Sequence, residues 1–168
     1  RGISFGDVYF STYIHLVEEK DRIPDVMLSL NMKTASGTEF YGARHSNTPG
    51  YFFDLTTGKK IITQSQNLEY IRIYAMVGFY VYQTNLNTYM QNDAFLYGAG
   101  FDLNFDNFQL DQQLGGYMGY IGNGDRPLVY RLNIKWLRHK NMDLKFRFQQ
   151  GFFDFPFTSF RFSTLINI

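Results

Sequence analysis

The chain has 168 residues, a formal net charge of +1, no cysteine and an aromatic content of 19%. The lack of cysteine excludes disulfides and thiolate metal sites. The near-neutral charge argues against nucleic-acid binding, which needs a clustered basic surface. No stretch approaches the roughly 18 apolar residues of a transmembrane helix. Mean hydropathy is only -0.27 despite the many aromatic residues, as expected when apolar and polar residues alternate.

Two predicted strands lie near the N-terminus, over residues 6–19 and 24–35. Apolar and polar residues alternate in both, and this period is typical of a β-strand because successive side chains point to opposite faces. The apolar positions are Val8, Phe10, Ile14 and Leu16, then Val26, Leu28, Leu30 and Met32. A third strand is predicted over residues 51–62, where the alternation is shorter and weaker.

Residues 67–83 carry the strongest alternation in the chain. Apolar residues occupy positions 71, 73, 75, 77, 79 and 81, and the opposite face carries Tyr70, Arg72, Tyr74, Gly78, Tyr80 and Tyr82. Alternation over about a dozen residues exceeds the roughly five to six residues of a usual strand. A strand of about 9–11 residues, tilted by about 45°, crosses a bilayer. The segment therefore predicts a membrane-spanning strand.

The same pattern predicts further strands at 93–106, 108–122, 127–138, 142–152 and 157–168. Together these segments predict an all-β, antiparallel, up-and-down transmembrane β-barrel in one domain over residues 1–168. A soluble lipid-binding barrel also has alternating strands, but its polar face meets water. Here the polar faces carry many glycines and tyrosines, which suit a crowded interior better than a solvated surface. The Gly-x-Trp signature of lipocalins is also absent, because the lone Trp136 follows Lys135.

Connection lengths predict the orientation of the barrel. Short turns fall at 19–22, 63–66, 106–107 and 139–141, and longer connections at 36–50, 84–92, 122–126 and 154–157. Bacterial outer-membrane barrels have short periplasmic turns and longer external loops, so we expect the C-terminus in the periplasm. Such barrels have an even number of strands, so we expect the predicted strands to belong to a barrel of about ten or twelve whose N-terminal strands are missing.

Three segments in the first third of the chain resemble a known family. They are residues 6–10 (Gly-Asp-Val-Tyr-Phe), residues 24–37, which begin with Pro-Asp, and residues 49–51 (Pro-Gly-Tyr). The pattern resembles Gram-negative outer-membrane barrels described as transporter-like, or as phenol-degradation-pathway outer-membrane proteins. Lys33 and Gly37 match that family's pattern, whereas Ala35 and Ser36 stand where Pro-Thr is usual. The resemblance implies a barrel of about twelve strands in which this motif lies well inside the protein.

Function in a barrel depends on the side chains that face its lumen. The lumen and selectivity candidates are Arg72, Arg131, Lys135, Lys145, Arg147, Arg161, Tyr70, Tyr74, Tyr80 and Tyr82. The cations predict a positive constriction that attracts anions, as rings of Arg or Lys do in anion-selective pores. Alternatively, they form salt bridges that plug a narrow barrel. The carboxylates available for such salt bridges are Asp7, Asp54, Asp102, Asp111 and Asp143.

The predicted function is passive or selective passage of small solutes, and two other classes stay open. One is a non-conducting accessory subunit that contacts outer-membrane lipid and other outer-membrane proteins, with Phe40, Tyr41 and Arg44 as loop candidates. The other is a lipid-modifying enzyme, because His45 and Ser46 superficially resemble the catalytic pair of lipid A deacylases. Neighbouring residues of a strand point to opposite faces, so this pair does not fit. The sequence predicts no enzyme, cofactor, metal or nucleic-acid partner.

Overall fold

The computed structural model describes residues 5–38, 49–63, 65, 67–86, 89–120, 126–139, 142–154 and 156–166. Within these ranges the chain forms one antiparallel sheet of nine strands, arranged in sequence order. The strands are β1 (Tyr9–Val17), β2 (Asp25–Lys33), β3 (Gly50–Ile62), β4 (Leu68–Leu86), β5 (Tyr89–Phe105), β6 (Phe108–Gly119), β7 (Leu128–His139), β8 (Met142–Phe153) and β9 (Thr158–Ile166). The predicted all-β, antiparallel, up-and-down fold is confirmed. In the described ranges no helix is long and apolar enough to cross a membrane.

β3 is a full strand, although its alternation is weak in the sequence. It runs for 13 residues and pairs with β2 on one side and β4 on the other. Its Tyr, Phe, Thr and Ile residues favour extended backbone, because aromatic and β-branched side chains fit a pleated surface. Backbone pairing with β2 and β4 therefore stabilises β3, although the weak alternation of its apolar and polar residues gives little indication of a strand.

β4 and β5 extend beyond the boundaries predicted from the sequence. Residues 84–92, predicted to form a longer loop, mostly continue the two strands, with Gln83 opposite Gln91 and Leu86 opposite Tyr89. Antiparallel pairing joins backbone groups and does not need apolar side chains, so it continues where the apolar pattern stops. The prediction of a longer loop at this position is wrong.

The register places corresponding faces of neighbouring strands on the same side of the sheet, since directly opposed residues share a face. One polar-side line across β1 to β6 consists of Tyr13, Ser29, Asp54, Gly78, Leu96 and Tyr117. The next line, on the other side, consists of Ile14, Leu28, Leu55, Val77, Tyr97 and Gly116. The two faces predicted strand by strand are therefore continuous across the sheet.

The polar face is the more buried one, which inverts the usual arrangement of a soluble protein. Its buried residues include Ser29, Asn31, Lys33, Asp54 and Asp143, whereas Ala94 is the buried hydrophobic residue among those described. Large apolar side chains on the other face are exposed. Even on the internal strands β7 and β8, Trp136 and Leu144 keep 51% and 52% of their surface exposed. The apolar groups of this sheet therefore point away from its interior.

Aromatic pairs join neighbouring strands along the apolar face, which is called the outer face from here on. Phe53 on β3 stacks on Phe79 on β4 with centroids 5.8 Å apart. Phe105 and Phe108 stack at 4.5 Å across the β5–β6 turn. Such pairs contribute about 0.5–1.5 kcal/mol each beyond the area that they bury.

The sheet curves around a cavity of about 760 Å³ on its polar face. The lining side chains run from Tyr9 on β1 to Gln149 on β8, so the polar face is concave. β1 and β9 are the edge strands of the described sheet, and every residue of β1 is exposed. The concave face is where the candidate lumen residues lie.

Candidate functional site

One line of side chains crosses the concave face at a single level. Successive cross-strand pairs connect one residue from each of the strands β3 to β9, and these residues form the charged row: Lys60, Arg72, Asp102, Asp111, Asn133, Arg147 and Arg161. Directly opposed residues lie about 4.5–5.5 Å apart at Cβ, so their head groups interact. The row has two carboxylates near its centre and cations towards both ends.

Arg72 connects three strands through ion pairs. Its Nη2 lies 2.8 Å from Asp25 Oδ2 on β2, and its Nη1 lies 3.8 Å from Asp102 Oδ2 on β5. The side chain crosses β3 at Gly58, where a Cβ would lie 2.6 Å from Nη2 of Arg72. The missing side chain at Gly58 therefore leaves the path to Asp25 open. Arg72 is neutralised by carboxylates and does not present an unpaired charge to the cavity.

Asp111 is the main hydrogen-bond acceptor of the charged row. Tyr74 donates its hydroxyl proton to Oδ1. Gln113 Nε2 and Asn133 Nδ2 donate to Oδ2 at 2.6 and 2.7 Å. Tyr74 reaches β6 from β4 by crossing β5 at Gly100, where a Cβ would lie 2.5 Å from the tyrosine hydroxyl. These bonds join β4, β6 and β7, and hydrogen bonds to a charged group are the stronger kind.

Arg131, Arg147 and Arg161 form a separate group on β7, β8 and β9, here named the arginine cluster. Arg147 lies directly opposite Arg161, and its Nε donates to Asn133 Oδ1 at 2.6 Å. The Nε–H of Arg131 donates to Gln149 Oε1 at 2.8 Å, and Arg131 lies two positions along β7 from Asn133, the residue opposite Arg147. Among the described residues, no carboxylate lies within 4.0 Å of a nitrogen of the cluster. Neutral amides therefore hold these positive charges in place.

Two of the lysines on the concave face have carboxylate partners. Lys135 Nζ lies 2.7 Å from Asp143 Oδ2, and Lys33 Nζ lies 3.2 Å from Asp7 Oδ2. Lys145 lies directly opposite Lys135 and is exposed. Of the five carboxylates predicted to be available, the two in these pairs serve lysines and not the arginine cluster.

Three of the predicted tyrosines make ring contacts on the concave face. The guanidinium carbon of Arg72 lies 5.6 Å from the ring centroid of Tyr74. Lys60 Nζ lies 5.0 Å from the ring centroid of Tyr70. Tyr80 packs edge-on against Phe52 and Tyr117, with centroids 5.8 and 5.5 Å apart, and all three residues line the cavity. The cavity therefore has an aromatic section towards the β4–β5 connection, and the charged row lies farther along the strands.

Part of the predicted site lies outside the described residues. This part comprises the loop candidates Phe40, Tyr41 and Arg44, and the pair His45 and Ser46. Tyr82 lies in β4 opposite Asn92, but its side chain also lies outside the described set. Within the ranges that are described, no group of His, Cys, Asp or Glu side chains is arranged to hold a metal ion.

Asp25 and Asn133 contribute to the site although neither was among the predicted site residues. Asp25 stands at the start of β2, and its role depends on the register that places Gly58 opposite both Asp25 and Tyr74. Asn133 is the neutral member of the charged row, between Asp111 and Arg147. Period-two alternation predicts a face but not a register, so sequence alone did not indicate these partners.

Comparisons with known proteins do not identify a family. No protein-family model matches the chain, and no curated protein matches it. The chemistry of the site is therefore interpreted from its own geometry: charged and hydrogen-bonding groups around a concave cavity, on a sheet whose other face is apolar.

Proposed function

We propose that this chain belongs to a bacterial outer-membrane β-barrel that gives small solutes passage through its polar interior, with a preference for anions. The exposed apolar face supports this proposal. Soluble monomers rarely expose apolar patches larger than a few hundred Å², whereas lipid tails accept such a face. The partner of the outer face is then outer-membrane lipid.

Closure of the sheet is part of the proposal. The edge strands β1 and β9 have a row of backbone N–H and C=O groups without a partner strand among the described residues. Such groups are not tolerated in contact with hydrocarbon. We therefore propose that additional strands complete the barrel, in line with the expected total of about ten or twelve.

The anion preference rests on one observation, the lack of a carboxylate partner for the arginine cluster in the described part of the chain. Arg72 and Lys135 each have such a partner, so some of the other interior cations are neutralised. Positive side chains that line a pore favour anions. In this proposal the arginine cluster sets the charge preference of the pore, Arg72 stabilises the sheet, and Tyr70, Tyr74 and Tyr80 limit the width of the lumen.

The proposed orientation places the C-terminus in the periplasm. The connections at one end of the strands span residues 34–49, 87–88, 120–127 and 154–157, and those at the opposite end span residues 18–24, 63–67, 106–107 and 140–141. Three of the four connections at the first end are longer than the two-residue connections at 106–107 and 140–141. External loops are the longer ones in outer-membrane barrels. The similarity of residues 6–10 and 24–37 to transporter-like outer-membrane proteins supports the same class.

A non-conducting accessory subunit is the second candidate, and the paired part of the charged row favours it. Arg72, Asp25, Asp102 and Asp111 bind one another or their neighbours. Side chains paired in this way fill the interior of a small barrel. Such a barrel would contact lipid and other outer-membrane proteins without passing ions.

Planar-bilayer recording distinguishes the two candidates. We expect discrete conductance steps with anion preference from the wild-type protein, and a shift towards cations in the double variant Arg131→Ser/Arg147→Ser. The matched control is Lys20→Ser/Arg22→Ser, which removes the same charge from the exposed β1–β2 connection and should leave the reversal potential unchanged. A silent bilayer with a correctly folded barrel would refute passage and favour the accessory subunit.

A further inference from the structure

Within the described part of the chain, the arginine cluster has hydrogen-bond donors without an acceptor, and these donors point to a ligand. Arg147 and Arg131 each use Nε to donate to a neutral amide oxygen, on Asn133 and Gln149 respectively. The amides hold the guanidiniums through one edge, while the Nη groups make no hydrogen bond or ion pair with the described residues. A guanidinium held in this way offers a pre-oriented fork of donors.

The charge arrangement would be unfavourable without an anion. Directly opposed like charges destabilise an antiparallel pair, and Arg147 lies opposite Arg161. Arg131 lies opposite Gln149, two positions along β8 from Arg147. The nearest carboxylate along the charged row is Asp111, but Asn133 stands between it and Arg147 and bonds to both. The position that would give Arg147 a salt bridge therefore holds an amide.

One member of the arginine cluster, Arg131, lines the cavity. Arg131 and Gln149 line the cavity of about 760 Å³, Arg131 and Arg161 are exposed, and Arg147 is half-exposed. Arg147 and Arg161 lie on the same face as Arg131, on the two following strands, so an anion that enters beside Arg131 meets the face that carries their side chains. Planar donor forks match the oxygen pairs of carboxylates and phosphates, whereas a spherical halide gives them no directional acceptors.

We propose that Arg131, Arg147 and Arg161 form a saturable binding site for one doubly charged oxyanion of the phosphate class. Three neighbouring cations favour a dianion over a monovalent ion, and the forks favour oxygen acceptors. The inference rests on the proposed function, because solutes reach this site through the barrel interior. It deepens that function by naming the class of solute.

Binding is measured without a membrane, by calorimetric titration of inorganic phosphate into the full chain folded in a non-ionic detergent at slightly alkaline pH. We expect one phosphate per chain. Replacing a guanidinium in Arg147→Ser or Arg161→Ser should raise Kd about tenfold or more, because a charge-assisted hydrogen bond is lost. Lys20→Ser/Arg22→Ser is the matched control and should change Kd by less than about twofold at moderate salt.

A second variant keeps the test decisive if the serine variants fold poorly. Gln149→Glu is nearly isosteric and gives Arg131 a carboxylate at the position of Oε1, now 2.8 Å from Nε. It should fold like the wild type and also weaken phosphate binding about tenfold. The absence of saturable binding by the folded wild type, an unchanged Kd in Gln149→Glu, or equal displacement by equimolar chloride would each overturn the proposal.

The outcome is separable from that of the conductance test. A folded chain that binds phosphate but is silent in bilayers refutes passage and leaves the binding site. A conducting chain that binds no phosphate refutes the site and leaves passage.

Discussion

Removal of the Arg72 side-chain charge is the sharpest test of the paired part of the charged row. Arg72→Met keeps the long apolar stem and removes the guanidinium that bridges Asp25 and Asp102. Both carboxylates then lose their cation on the concave face, and Asp102 remains directly opposite Asp111. Unpaired charges away from bulk water and like charges across a ladder both destabilise the folded state.

The loss of stability expected for Arg72→Met lies between the losses caused by breaking an exposed and a buried ion pair. Breaking an exposed pair costs about 0–1 kcal/mol, and breaking a buried pair by removing one partner costs about 3–5 kcal/mol. The side chain of Arg72 is 22% exposed and that of Asp25 is 15% exposed. We therefore expect Arg72→Met to lower the free energy of unfolding by about 2 kcal/mol.

Arg161→Met is the matched control, because it removes the same group from the same row. Arg161 is exposed and has no carboxylate within 4.0 Å among the described residues. Loss of this guanidinium also relieves its repulsion with Arg147, so we expect the free energy of unfolding to change by no more than about 0.5 kcal/mol. The measurement is urea unfolding in lipid vesicles, followed by the fluorescence of the chain's single tryptophan, Trp136. An Arg72→Met variant as stable as Arg161→Met would refute the reasoning.

Two further predictions concern packing and pH. Gly100→Ala should destabilise by about 1–3 kcal/mol, because its Cβ would meet the β6 backbone and the Tyr74 hydroxyl. Gly98→Ala is the matched control, because its Cβ would lie 3.5 Å from its nearest neighbours, and its free energy of unfolding should stay close to that of the wild type in urea. If the two variants were equally destabilised, Tyr74 would not cross β5 at Gly100. The backbone amide of Lys60 donates to Glu19 Oε1 at 2.9 Å, and this bond, with smaller help from the neighbouring lysine ammonium, lowers the pKa of Glu19 below its ordinary value. Stability from Glu19 is therefore present above the pKa of the unfolded chain and is lost as pH falls through the lower folded pKa. In Glu19→Gln the urea midpoint of unfolding should depend less on pH between the folded and unfolded pKa values of Glu19. A pH dependence equal to that of the wild type would contradict this role of Glu19.

The fold could be predicted from the sequence because its signal is local. Alternation over residues 67–83 indicated β4 and its two faces, and the same signal indicated the other strands. It failed at residues 84–92, where pairing continues without apolar alternation. Alternation reports the side chains of one strand, whereas pairing depends on backbone groups of two strands.

The site could be predicted only in part, because its contacts depend on register. The sequence placed Arg131, Arg147 and Arg161 on one face of three consecutive strands, but the direct opposition of Arg147 and Arg161 follows from the β8–β9 register. The ion pair between Arg72 and Asp25 crosses a whole strand at Gly58. A contact of this length has no counterpart in the alternation of any single strand.

The central claim is that the apolar face of the sheet meets lipid and the polar face lines the interior. The chain has no cysteine, so single cysteines carrying a nitroxide label can be placed at Leu144, Lys145, Phe146, Phe148 and Gln149 of β8 in the vesicle-inserted protein. Labels on the outer positions 144, 146 and 148 should be accessible to oxygen dissolved in lipid, and labels on 145 and 149 to a water-soluble nickel chelate. Accessibility without this alternation, or with the opposite phase, would contradict the claim.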